Sequence, residues 1–283
     1  MTVTTSEPKT FEEKQIYDSS KHNNRPLMEL KEAWQYRDLV FFLVRRDITA
    51  RYKRSVLGIA WTMLNPLGMM IVLSIVFSQV FRVAMENYPA YVLSGLIAWT
   101  FFSQTSANSI SVIVWGGDLF QRIYIPRSIF VISTIITGLV NLVLSMVPLI
   151  LVMLVTKVPL SFTILLAPIA MLLISLFSLG IGLLLSTIGI YFADIVEMYS
   201  IIVTAWMYLT PIIYPLTILP VGVQNWLQLN PLVHLVEFFR GFVFYGQVPT
   251  IKIWLICLGV SLVTFVLGWV FFTEKADEFA YRT

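Results

Sequence analysis

Six stretches of the chain are dominated by apolar residues: 59–81, 90–115, 128–155, 161–192, 195–214 and 251–272. None shows the two-residue alternation of a barrel strand, and each is long enough for a helix to cross the roughly 30 Å hydrocarbon core of a bilayer. The pattern predicts an all-α polytopic membrane protein with six transmembrane helices. The fourth stretch is long enough to span with tilt or to extend past the membrane.

Two segments depart from the simple span. Residues 216–247 are apolar but interrupted by Pro220, Gly222 and the pair Asn230-Pro231. Proline disfavours a helical residue before it, so each half is too short to cross. The expectation is a re-entrant hairpin of two short helices at the outer face, between spans five and six. His234, Glu237 and Arg240 recur every third residue after the break. A helix would stack them on adjacent turns, where Glu237 and Arg240 can pair. With Asn230 and Pro231, they form a candidate outer gate. Ahead of the first span, residues 27–57 mix Trp34, Tyr36 and the apolar run 39–44 with Arg45, Arg46, Arg51, Lys53 and Arg54. That mixture predicts an amphipathic helix lying in the interface. Residues 1–26 are polar, carry no apolar core for a cleavable signal, and read as a disordered cytoplasmic tail. Residues 274–283 read as a second cytoplasmic tail, leaving 58–273 as the membrane domain.

Composition agrees with the pattern: 58% of residues are hydrophobic and 12% charged. A soluble core of this size has no place for that much apolar surface, whereas a bilayer serves as its solvent. Charge then sets orientation. Eleven of the 19 Lys and Arg residues precede Leu57. With the N-terminus inside, 15 basic residues fall on inner segments and 4 on outer ones. The positive-inside rule therefore places both termini in the cytoplasm, in a multi-pass protein of the cytoplasmic (inner) membrane. No nucleic-acid patch is implied. The single cysteine, Cys257, cannot form an internal disulfide.

Several chemistries lack their residues. Gly-Lys does not occur, so no P-loop is available for ATP. The two histidines, His22 and His234, form no zinc pattern, and no nucleophile elbow is visible. The chain itself is expected to be neither an enzyme nor a cofactor- or metal-binding protein.

The remaining motifs carry a resemblance. Arg46-Asp47, Arg51-Tyr52-Lys53, Ser55-Val56-Leu57-Gly58, Trp61 and Asn65-Pro66-Leu67 precede and enter the first span. Tyr91-Val92, Gly95-Leu96, Trp99 and Phe101-Phe102 follow in the second, and Ile123-Tyr124-Ile125-Pro126-Arg127 in the next inner loop. Thr210-Pro211-Ile212-Ile213-Tyr214-Pro215, Asn230-Pro231-Leu232, Glu237, Phe239-Arg240 and Gly246 complete the series. In order and spacing this resembles the ABC-2-type permeases that export lipid-linked polysaccharides such as O-antigen and teichoic acid. Two departures stand out: Phe192-Ala193-Asp194 where the family usually has Phe-Arg-Asp, and the glycine-rich Gly116-Gly117 before Asp118.

The resemblance implies a homodimeric pathway above two copies of a cytoplasmic ATPase, which would supply the ATP and Mg chemistry. Membrane lipids and a lipid-linked polysaccharide would be the other partners. Asp118, Phe120, Gln121 and Arg122 would couple to the ATPase. Arg45, Arg46, Arg51, Lys53 and Arg54 would attract a substrate diphosphate at the inner headgroup level, since arginine pairs with phosphate in a forked geometry. Trp61, Trp99, Phe101, Phe102, Trp206, Tyr208 and Tyr214 would line a sugar path, although aromatics also gather at membrane interfaces. Two alternatives stay open at this level. One is an ABC-2 permease for a drug or lipid. The other is a polyprenyl-phosphate-dependent glycosyltransferase, for whose acidic pair the first outer loop offers only Glu86.

Overall fold

The computed structural model describes residues 25–53, 57–58, 60–79, 86–116 and 125–282. Among them it contains ten α-helices and no strand. Helices α1 (Arg25–Gln35) and α2 (Arg37–Tyr52) divide at Tyr36 what was expected as one interfacial helix. They are followed by α3 (Ala60–Gln79), α4 (Tyr88–Val114) and α5 (Ser128–Val155). A 3-10 turn, Phe162–Leu166, leads into α6 (Ala167–Tyr191), and α7 is Ile195–Tyr208. The interrupted segment yields α8 (Val221–Leu227) and α9 (Pro231–Val243), and α10 runs Ile251–Arg282.

Among the described residues, four helical segments are long and apolar enough to cross a membrane: Ala60–Phe77, Ser128–Val155, Phe162–Tyr191 and Ile251–Lys275. Backbone groups in hydrocarbon have only each other as partners, which forces such runs to be helical; two of them carry an interior proline, Pro66 and Pro148. Helix α4 has the length but carries more serine and threonine. The reason lies in its position: Ala90 to Trp99 are all buried, and α3, α5, α6, α7 and α9 all touch it. Protein surrounds most of its hydroxyls, which bond back to the carbonyls one turn earlier, as Thr105 does to Phe101 and Ser106 to Phe102, while Gln104 and Asn108 are exposed.

Lipid tails are as apolar as leucine, so helix association here depends on close packing rather than on expulsion of water. The broadest contact, between α6 and α10, is built that way. A Cβ placed on Gly180 would collide with the Thr264 carbonyl, and one on Gly268 with the carbonyl of Gly180. Polar links add to this packing: Ser186 donates to the Ser109 carbonyl at 2.9 Å, and the Tyr199 hydroxyl to Ser106 Oγ at 2.7 Å.

Candidate functional site

The fifth apolar stretch was expected to stay helical to Tyr214, yet α7 stops at Tyr208. Pro211 and Pro215 lack the N–H groups a helix needs, and the chain turns through residues 209–214 with carbonyls left over. Side chains from elsewhere take them. The Tyr88 hydroxyl donates to the Ile213 carbonyl at 2.8 Å, and the Tyr91 hydroxyl to the Tyr214 carbonyl at 3.2 Å. Arg240 takes two more, donating from Nη1 to Pro211 O and from Nη2 to Ile212 O, both at 2.7 Å.

Arg240 is wholly buried, at 0% exposure, which is costly for a charge unless every donor direction is used. The four N–H groups on Nη1 and Nη2 carry all of its hydrogen bonds, while the buried Nε has no partner. Nη1 also reaches Glu237 Oε1 at 2.7 Å and the Tyr91 hydroxyl at 2.9 Å, and Nη2 reaches the Tyr91 carbonyl at 3.3 Å. The guanidinium carbon lies 3.7 Å from the centroid of the Tyr91 ring, a cation–π contact. Space for it exists because residue 95 is glycine: a Cβ there would strike Arg240 Nη2. Glu237 also accepts a hydrogen bond from Tyr245. Burial, then the adjacent Glu237 carboxylate, push the Tyr245 phenol up to about 12. The phenol therefore stays protonated and able to donate.

The break before α9 is a second polar joint. Asn230 Oδ1 accepts from Leu232 N–H at 3.1 Å, capping α9, and from Trp206 Nε1 at 2.9 Å. Its Nδ2 donates to Leu209 O at 3.1 Å and Thr210 Oγ1 at 3.0 Å. Pro231 occupies the first turn of α9, where a missing N–H costs nothing. His234 bonds the Gln228 carbonyl at 2.8 Å. Phe238, Phe242 and Trp254 then pack edge to face, with centroids 4.8 to 5.8 Å apart, joining α9 to α10. Helix α9 is thus embedded, whereas α8 shows Val221, Val223 and Trp226 to the outside.

The other residues singled out from sequence separate into groups. Trp99, Phe101 and Phe102 are buried inside the protomer, where Phe102 packs on Trp99, Phe177 and Trp206. Trp61 and Tyr208 are exposed, and Trp206 and Tyr214 are half-buried. Arg45 and Arg46 are exposed on α2, Arg46 pairing with Asp47 at 2.9 Å, and Lys53 is exposed just past the helix end. Arg54 and the side chain of Arg51 lie outside the described residues, as do Asp118, Phe120, Gln121 and Arg122. Tyr88, Tyr91 and Gly95 were given no role in the gate. Tyr91 and Gly95 carry part of the family resemblance, but nothing in their spacing shows that they meet Arg240, 149 residues beyond Tyr91.

Comparison with known proteins adds an independent line. The ABC-2 type transporter family matches residues 38–244. The chain is 32% identical over 255 residues to the O-antigen export system permease protein RfbA of Myxococcus xanthus, covering 89% of this chain and 97% of that one. It is 29% identical over 213 residues to the polysialic acid transport protein KpsM of Escherichia coli, covering 73% and 81%. A capsule polysaccharide export inner-membrane protein, CtrC of Neisseria meningitidis serogroup A, is 25% identical over 234 residues, covering 80% and 86%.

Proposed function

Because this chain belongs to the ABC-2 type transporter family, we propose that it is the membrane permease through which lipid-linked polysaccharide, an O-antigen or a similar polymer, leaves the cytoplasm. The observation that carries this reading is the near end-to-end match with an O-antigen export permease. The chain is a transport subunit, so ATP and Mg are handled by a separate ATPase pair beneath a permease homodimer. The six apolar stretches supply six spans with both termini inside. The apolar residues left bare on α3 and α7, among them Ile71, Val72, Ile75, Ile201 and Ile202, support a second copy or lipid lying against those helices.

Within this machine, the exposed arginines of α2 attract the diphosphate of the substrate at the inner headgroups. The loop with Asp118, Phe120, Gln121 and Arg122 docks on the ATPase. The outer hairpin gates the path, and its anatomy supports α8 rather than α9 as the moving part, since Arg240 and Asn230 tie α9 to the protomer. The test is complementation. A strain lacking this chain regains surface polysaccharide with the wild type. With Phe120→Asp, ATP hydrolysis by the purified complex continues while export stops. Normal surface polysaccharide in the deletion strain overturns the export role, and full export by the variant overturns the coupling role.

A further inference from the structure

Helices α3, α4 and α5 enclose a cleft of about 290 Å³ whose lining contains no ionisable residue. Its wall is nonetheless polar: Asn65 from α3, Thr100 and Gln104 from α4, Asn141 and Ser145 from α5, with Trp61 beside them. Under the six-span topology this polarity is deep. At 1.5 Å per residue, Asn65 stands about 8 Å from the inner end of its helix, Gln104 about 15 Å and Asn141 about 20 Å. A groove on the same three helices, formed by Leu67, Met70, Ile71, Leu151, Val152 and their neighbours, has only Ser74 and Thr156 as polar lining. The polarity is therefore local to the cleft.

The carboxamides of Asn65 and Gln104 are exposed to this space, and neither is hydrogen-bonded to any described residue. An unpaired amide at such depth is disfavoured in hydrocarbon, which offers it no partner. We propose that the cleft is a subsite for an uncharged sugar unit of the transported polymer, a reading that rests on the polysaccharide function proposed above. A carboxamide both donates and accepts, matching a sugar hydroxyl that does the same. The Trp61 ring, 56% exposed, offers an apolar face to the C–H side of a pyranose. No cation lines the space, so it suits neither a phosphate nor a sialic-type carboxylate. The volume is at the small end for ligand pockets and fits a sugar unit rather than a coiled chain.

Two measurements test this on the complex with its ATPase. In the first, Asn65→Cys and Gln104→Cys are made singly in a Cys257→Ala chain. A small charged thiol reagent is applied to inner-membrane vesicles from cells that make the polysaccharide and from cells blocked in its first sugar-transfer step. Labelling is expected in the blocked vesicles and at least a fivefold reduction where the polymer is present, scaled as for a contact worth about one hydrogen bond. In the second, Asn65→Leu with Gln104→Leu lowers export roughly tenfold, while dimer and ATPase association stay as in the wild type. Labelling that ignores the polymer, no labelling in either membrane, or wild-type export by the leucine pair each overturns the subsite. Dissociation of the dimer by the leucine pair also overturns it, making the cleft a contact between copies. If the wild-type chain restores no surface polysaccharide, the function itself fails and the inference with it. Restored polysaccharide with unchanged labelling removes the cleft alone.

Discussion

Replacing Arg240 is the most direct perturbation of the turn that follows α7 and of its joint with α9. Arg240→Leu keeps the apolar stem and removes the guanidinium, and with it five hydrogen bonds and the cation–π contact. The Pro211 and Ile212 carbonyls lose the donors that replace a helical ladder, and Glu237, one quarter exposed, loses its counter-charge. Removing one member of a buried ion pair costs about 3–5 kcal/mol, and each buried carbonyl left without a donor about 1–3 kcal/mol. These terms share one group and do not add, so a net loss of about 3–5 kcal/mol is the expectation. It is above the roughly 1.7 kcal/mol ceiling measured for single interhelical hydrogen bonds in membranes, because several partners fail together. Reversible unfolding in mixed detergent micelles reads the loss directly, and a fall of about 10 °C in Tm accompanies it. Arg240→Lys retains the charge but cannot fork to Tyr91, Glu237 and two carbonyls at once, so it recovers only part. Adding Glu237→Leu to Arg240→Leu restores some stability by removing the stranded carboxylate. A loss below about 1 kcal/mol for Arg240→Leu would refute the clamp, since that is the size of one ordinary hydrogen bond.

Two further substitutions probe separate joints by the same unfolding measurement. Asn230→Asp preserves the cap of α9 but turns the Nδ2 donor to Leu209 and Thr210 into an acceptor facing acceptors, so it loses about 1–3 kcal/mol where capping propensity alone predicts no change. Gly180→Ala pushes a methyl into the Thr264 backbone and destabilises by about 1–3 kcal/mol, whereas Gly259→Ala on α10, with nothing within 4 Å, is neutral or stabilising by up to about 1 kcal/mol; equal effects at the two positions would remove the close-packing account.

The helices themselves were legible because hydrocarbon permits few alternatives. The stretch expected at 128–155 is α5 to the residue, and the fourth stretch matches the turn plus α6 within one residue at each end. The Asn230-Pro231 break likewise falls where α9 begins, and Glu237 and Arg240 do pair. What escaped was everything decided between elements. The end of α7 moved from 214 to 208 because Arg240, Tyr88 and Tyr91 satisfy carbonyls that a longer helix would have satisfied itself. Helix α10 runs on to Arg282, well past its apolar part, because charged residues such as Glu274 and Lys275 are ordinary helix formers once the chain leaves the apolar zone. In the candidate gate, His234 and Glu237 could be placed on one helical face from spacing alone, but the burial of Arg240 depends on a glycine and a tyrosine from a different helix.

The Arg240 network and the α3–α4–α5 cleft differ in one respect that bears on function. Around Arg240 the polar atoms meet each other: tyrosine, glutamate, arginine and backbone carbonyls form one connected set, with only the arginine Nε left out of it. Such a network fixes geometry, and its natural role is to hold α9 and the turn at 209–214 as a rigid frame. In the α3–α4–α5 cleft the carboxamides of Asn65 and Gln104 meet open space instead. A bilayer penalises both arrangements unless the groups find partners, and the first already contains its own. The second needs a partner from outside the protomer. A neutral polymer drawn through the membrane presents hydroxyl after hydroxyl, and a wall of carboxamides can exchange one for the next without the deep well a charged site would create. The frame near one end of the bundle and the unsatisfied cleft deeper within it thus assign rigidity and passage to different parts of the same fold.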